Sequence, residues 1–82
     1  MTPVFHLNFP NVDLGAPILP QLENAFGKET DGWPSDLVAY AKALLEPLVP
    51  VIHATAGQQG KAIVMVSGSM AGQIQYVVSK FA

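Results

Sequence analysis

From Ala62 to Ser79 the chain carries no charged side chain, and an uncharged run of that length can fold in few ways. It is long enough to raise the question of a membrane span, which wants about 20 mostly apolar residues. Ser67, Gly68, Ser69, Gly72, Gln73 and Gln75 interrupt it, and polar residues at that density argue against a span. The remaining solution is a pair of strands. Lys61 to Ser67 is rich in Ile63, Val64 and Val66, and Gln73 to Phe81 holds Tyr76, Val77 and Val78. Gly68 to Gly72 supplies turn residues between them, so a β-hairpin is expected here. The first of these strands is apolar on both faces. Such a strand reads as buried under helices on one side and under something else on the other.

The rest of the chain has to cover this hairpin. Val4 to Phe9 alternates, with Phe5, Leu7 and Phe9 on one face and Val4, His6 and Asn8 on the other. That period of two predicts a half-buried strand, ended by Pro10 and Asn11. Pro17 and Pro20 bracket a loop, and Gln21 to Phe26 reads as a short helical turn with Gly27 as its stop. A stronger helix follows Ser35, a good N-cap, with Asp36 adding negative charge to the first turn. Leu37, Ala41, Leu44 and Leu48 form one apolar stripe, widened by Val38, Leu45, Val49 and Ile52. Pro47 and Pro50 interrupt it, at a cost of about 3 kcal/mol for a proline in a helix interior. The expectation is an end or kink near Leu45, then a second helical piece to about Ala56, stopping at Gly57. The fold class that follows is α+β, one domain over residues 1–82, in the order β-α-α-β-β. Its small sheet joins the N-terminal strand to the C-terminal hairpin and packs against a proline-kinked helix.

Composition narrows the function classes. Half of the residues are hydrophobic and only 12% are charged, against about 25% in ordinary domains, which makes disorder a poor reading. The net charge is −2 and arginine is absent, so the electrostatic footprint of a nucleic-acid binder is missing. No cysteine is present, which removes disulfide staples and thiolate-bound zinc. The opening residues lack the basic start and apolar run of a secretory signal. A cytoplasmic location is expected, with no membrane partner.

Chemistry-bearing motifs are sparse. Thr55-Ala56-Gly57-Gln58-Gln59-Gly60-Lys61-Ala62 looks superficially like a phosphate loop, but a P-loop has glycine where Thr55 stands and Ser or Thr where Ala62 stands. It also leads from helix to strand, so no helix N-terminus faces a phosphate. Gly68-Ser69-Met70-Ala71-Gly72 has the length of a nucleophile elbow with methionine at its centre. His6 and His53 have no neighbouring ligands in sequence to complete a metal site; convergence in space with Asp13, Glu29 or Asp31 stays open. The carboxylates are scattered singly. No catalytic residue, cofactor or metal site is expected.

One resemblance runs through Gly32-Trp33-Pro34, the helix, Ala56-Gly57 and Val64-Met65-Val66-Ser67-Gly68. This layout of a tryptophan-led helix, a glycine-rich link and a Val-x-Val-Ser-Gly strand resembles small uncharacterised proteins encoded by actinobacteriophages. It covers roughly the C-terminal 50 residues. Those proteins often continue with a loop rich in His, Asn and Asp, where this chain has Ser69-Met70-Ala71-Gly72. The resemblance therefore implies a bacteriophage origin, with a place in the host cytoplasm or the virion, and carries over no functional residue.

What remains is a shortage of polar covering. Four lysines and six carboxylates have to dress a surface of roughly 4,700 Å² for a chain of this size. The last strand is guarded only by Lys80, whereas edge strands are normally blunted by charge, proline or a bulge. Large apolar patches usually mark interaction sites. The reading is a non-enzymatic interaction module that forms a homo-oligomer. The alternative is a small inhibitor or modulator that binds one host protein; a ligand-pocket or enzyme reading ranks last. The candidate interface residues are Trp33, Met70, Ile74, Tyr76 and Val78.

Overall fold

The computed structural model describes residues 3–81. Strand β1 (Val4–Asp13) is followed by helices α1 (Ile18–Glu29), α2 (Ser35–Lys42) and α3 (Leu45–Ala56), then by β2 (Lys61–Ser69) and β3 (Ile74–Phe81). The strands form an antiparallel sheet in the order β1-β2-β3, so the strand flanked on both sides is β2. The fold is α+β, and the helices all cover one face of the sheet.

The period of two in β1 does what it predicts: Phe5, Leu7 and Phe9 are buried while Val4, His6 and Asn8 are exposed. The strand does not stop at Pro10. The register shifts between Phe9 and Val12, so that Phe9 faces Val64 and Val12 faces Ala62. Pro10 and Asn11 form a β-bulge, where a residue without an N–H is tolerated. The extra residue restores the inward orientation, and Val12 is buried again.

Helix α1 begins earlier than Gln21 and ends later than Gly27. Pro20 lies in its first turn, where the backbone N–H has no partner to lose. At the other end the Thr30 N–H and its hydroxyl both donate to the Phe26 carbonyl, at 3.0 and 2.8 Å. This buried threonine closes the helix beyond the glycine expected to stop it. Ser35 is the first helical residue rather than the cap, and Pro34 precedes it.

The proline interruption is realised as a break. α2 ends at Lys42, α3 begins at Leu45, and the two helices meet at 41°. Pro47 lies in the first turn of α3, where it needs no donor; Pro50 sits inside the helix and faces solvent. This makes three helices where one short turn and one kinked helix are expected. The break lets one apolar stripe follow the twisted sheet, with Leu37, Ala41, Leu45, Leu48, Ile52 and Ala56 all buried. Gly57, at φ +84°, ends α3, a backbone state that glycine adopts without penalty.

The core lies between this helical layer and the inner face of the sheet, where Ala62, Val64 and Val66 of β2 are closed off. Each fully buried Leu, Ile, Val or Phe contributes about 1.5–3 kcal/mol. Phe5 anchors one end, its ring 5.9 Å from Trp33 and 6.2 Å from Tyr40. Among the described residues no single helix is long and apolar enough to cross a membrane. The molecule measures 39 × 21 × 17 Å, a slab one helix layer and one sheet layer thick.

Candidate interaction surface

The helical layer leaves two parts of the sheet uncovered: its outer face and the far edge of β3. Lys61, Ile63, Met65 and Ser67 of β2 and Gln75, Val77, Ser79 and Phe81 of β3 point outward, opposite the buried set. Register places Met65 beside Val77 and Lys61 beside Phe81, with Asn8 of β1 on the other side of Met65. Met65 is 43% exposed, Val77 50% and Phe81 39%. The strand apolar on both faces is therefore covered on one face only, and the second cover foreseen from its sequence is absent among the described residues.

The two edges of the sheet are treated very differently. Along β1, Asn8 and Asp13 turn backbone groups away from β2 and are met by side chains of α1, whereas no hydrogen bond among the described residues reaches the outward groups of Val4 and His6. The Asn8 N–H donates to Glu29 Oε1 at 3.1 Å. The Asp13 N–H donates to Gln21 Oε1 at 2.8 Å, and Gln21 Nε2 returns a bond to the Asp13 carbonyl at 2.9 Å. With the bulge at Pro10 and Asn11, these bonds obstruct the Asn8–Asp13 half of this edge to another strand.

The β3 edge has no such treatment. The Ser69 N–H donates to the Gln73 carbonyl at 2.9 Å and the Gly72 N–H to the Ser69 carbonyl at 3.0 Å. This is a three-residue hairpin loop with Gly72 in the left-handed region at φ +95°. Antiparallel pairs alternate between bonded and non-bonded types. Since Ser69 and Gln73 are bonded, Gln75, Val77, Ser79 and Phe81 turn their backbone groups toward β2. Ile74, Tyr76, Val78 and Lys80 turn theirs outward. The same alternation accounts for the outward Asn8 N–H and for the Met70 N–H bond to the Pro3 carbonyl. Among the described residues no hydrogen bond reaches the outer edge of β3.

Lys80 does not guard this edge. Its side chain lies back over the α3–β2 link: a Cβ on Gly60 would meet Lys80 Cε at 3.5 Å, and one on Gly57 would meet Nζ at 3.8 Å. A cation beside the end of α3 is favourably placed for the helix dipole.

The five residues singled out from sequence divide accordingly. Trp33, Met70, Ile74 and Val78 are half-buried and pack against the core. Tyr76 opposes Val66, so its ring lies on the helix-covered side, yet it stays 39% exposed. Sequence reasoning missed Met65, Val77 and Phe81, whose exposure depends on which face of a two-sided apolar strand the helices choose. It also missed Gln21 and Glu29; nothing in the sequence marks either as an edge cap.

His6 and Ser67 stand directly opposite each other on β1 and β2, with His6 Nδ1 2.8 Å from Ser67 Oγ. They line an open depression of about 720 Å³ with Val4, Gln73 and Gln75. A smaller one of about 260 Å³ brings Glu29 to the same histidine's surroundings. Its carboxylate is engaged by the Asn8 N–H. His53 is half-buried on α3 and lines neither depression. No cluster of three metal-ligating side chains occurs among the described residues. Comparison with known protein families, curated proteins and solved structures finds no match for this chain.

Proposed function

We propose that this protein is a non-enzymatic association module whose first partner is a second copy of itself. The observation that carries the reading is the uncovered side of the sheet. Met65, Val77 and Phe81 stand exposed there on adjacent strands, in a chain with too few charges to dress its surface. Exposed apolar side chains gathered on one face of a sheet favour an interface reading. The sequence resemblance to phage-encoded proteins suggests the setting, a structural or accessory role in the host cytoplasm or the virion.

Solution mass tests the reading. Light scattering at micromolar concentration should give twice the 8.7 kDa of one chain, falling toward one chain on dilution. A mass of one chain at every concentration would overturn self-association. Under that outcome, one stoichiometric partner recovered from host extract would favour the inhibitor reading.

A further inference from the structure

We infer that two copies join by antiparallel pairing of β3 with β3 across a two-fold axis through Val77, extending the sheet through both molecules. This rests on the association reading above and assigns the contact to the outer edge of β3, with Val77 of the open face drawn into it and Met65 left beside it.

The unpaired backbone groups set the choice. Ile74, Tyr76, Val78 and Lys80 each offer an outward N–H and C=O, by the alternation that the Ser69–Gln73 bond fixes. In an antiparallel pair about a two-fold axis, bonded residues must oppose bonded residues. Centring on Val77 sets Tyr76 against Val78 of the second copy and Ile74 against its Lys80. Every free group on both edges then finds a partner. Centring on Tyr76 or Val78 leaves some of them unmatched.

The side chains favour the same register. On the open face Val77 meets Val77 of the second copy in a non-bonded pair, the closer of the two antiparallel spacings. On the helix side the ring of Tyr76 packs on Val78 of the second copy, an aromatic and β-branched pairing that stabilises sheets. Val77 and Tyr76, 50% and 39% exposed, lie on opposite faces of the strand and are covered by one contact. The two Lys80 ammonium groups fall at opposite ends of the paired segment, so like charges do not meet. A second copy is the occupant because the edge complements itself; the two-fold contact uses each β3 edge once, and β1 is a poorer pairing edge because Gln21 and Glu29 obstruct its Asn8–Asp13 half.

The absence of cysteine gives a direct test of register. Paired Val77 Cα atoms in this arrangement lie about 4.5 Å apart, within the ~4.4–6.8 Å that a disulfide spans. Val77→Cys should therefore yield a covalent dimer under mild oxidation. Gln75→Cys, whose two copies are about 13 Å apart in this register, should stay reduced. Tyr76→Pro removes one outward N–H without touching the bonds to β2, and edge strands tolerate proline there. It should lower the dimer affinity at least 100-fold with an unchanged far-ultraviolet circular dichroism spectrum. A wild-type dimer that survives Tyr76→Pro, or cross-links equally through Gln75→Cys, overturns this interface and leaves self-association standing. A wild-type monomer overturns both.

Discussion

Two glycines in the hairpin are required for different reasons, and substitution separates them. Gly68 faces inward, where a Cβ would lie 2.6 Å from Ile74 Cδ1 and 2.9 Å from Phe5 Cζ. The Ile74 tip can swing away, but the Phe5 ring is held between Trp33 and Tyr40. Gly68→Ala should cost about 1–3 kcal/mol, the usual penalty for overpacking. Gly72 has open space around it but φ +95°. Gly72→Ala should cost about 1 kcal/mol for forcing an L-residue into the left-handed region. Asparagine tolerates that region, so Gly72→Asn should recover part of the loss, whereas Gly68→Asn should be worse than Gly68→Ala. Urea unfolding midpoints with an unchanged slope measure each effect. Equal losses for the two alanines, with no recovery by asparagine, would mean that crowding rather than backbone conformation governs both positions.

The elements legible in the sequence are those whose signal is local. Alternation in Val4–Phe9, the stripe through Leu37 and Leu48, and the glycine-rich turn each depend on near neighbours, and each corresponds to an element. The differences have two origins: Pro10 passes through a bulge because Val12 can return to the core, a tertiary effect, and α1 runs over Gly27 because the local Thr30 closes it on the Phe26 carbonyl. At the candidate surface, sparse charge made the β3 edge legible. Which face of β2 stays bare was not, because register and helix placement are long-range properties. The prolines of α3 allow a further test. Pro47 occupies a first turn and costs the helix little, but Pro50 lies inside it and is exposed, leaving the Glu46 carbonyl without its helical donor. Pro50→Ala should stabilise the protein by about 1–2 kcal/mol, a regained helical bond less the greater freedom of the unfolded chain. The thermal midpoint should rise by roughly 4–8 °C per kcal/mol. A fall would show that the core needs the local distortion at Pro50.

At the scale of the whole molecule, the asymmetry between the two sheet edges decides what kind of assembly forms. A sheet with one bare edge pairs once and closes; a sheet with two bare edges has a free strand after every addition and grows without limit. Helix α1 supplies part of the difference, since Gln21 occupies both outward backbone groups of Asp13 and Glu29 takes the Asn8 N–H. Glu29 is exposed and Gln21 half-buried, and removing them should cost the monomer about 1 kcal/mol per bond lost. The consequence for assembly should be much larger. The Gln21→Ala, Glu29→Ala double variant exposes β1 while β3 stays paired, and sedimentation velocity should then show species heavier than the dimer that lengthen with concentration. Adding Tyr76→Pro removes the β3 contact, leaves one usable edge per chain, and should return the largest species to a dimer. A double variant that stays at the dimer mass would mean that the bulge at Pro10 and Asn11 alone keeps β1 shut. Sealing of that edge would then belong to the strand rather than to the helix beside it.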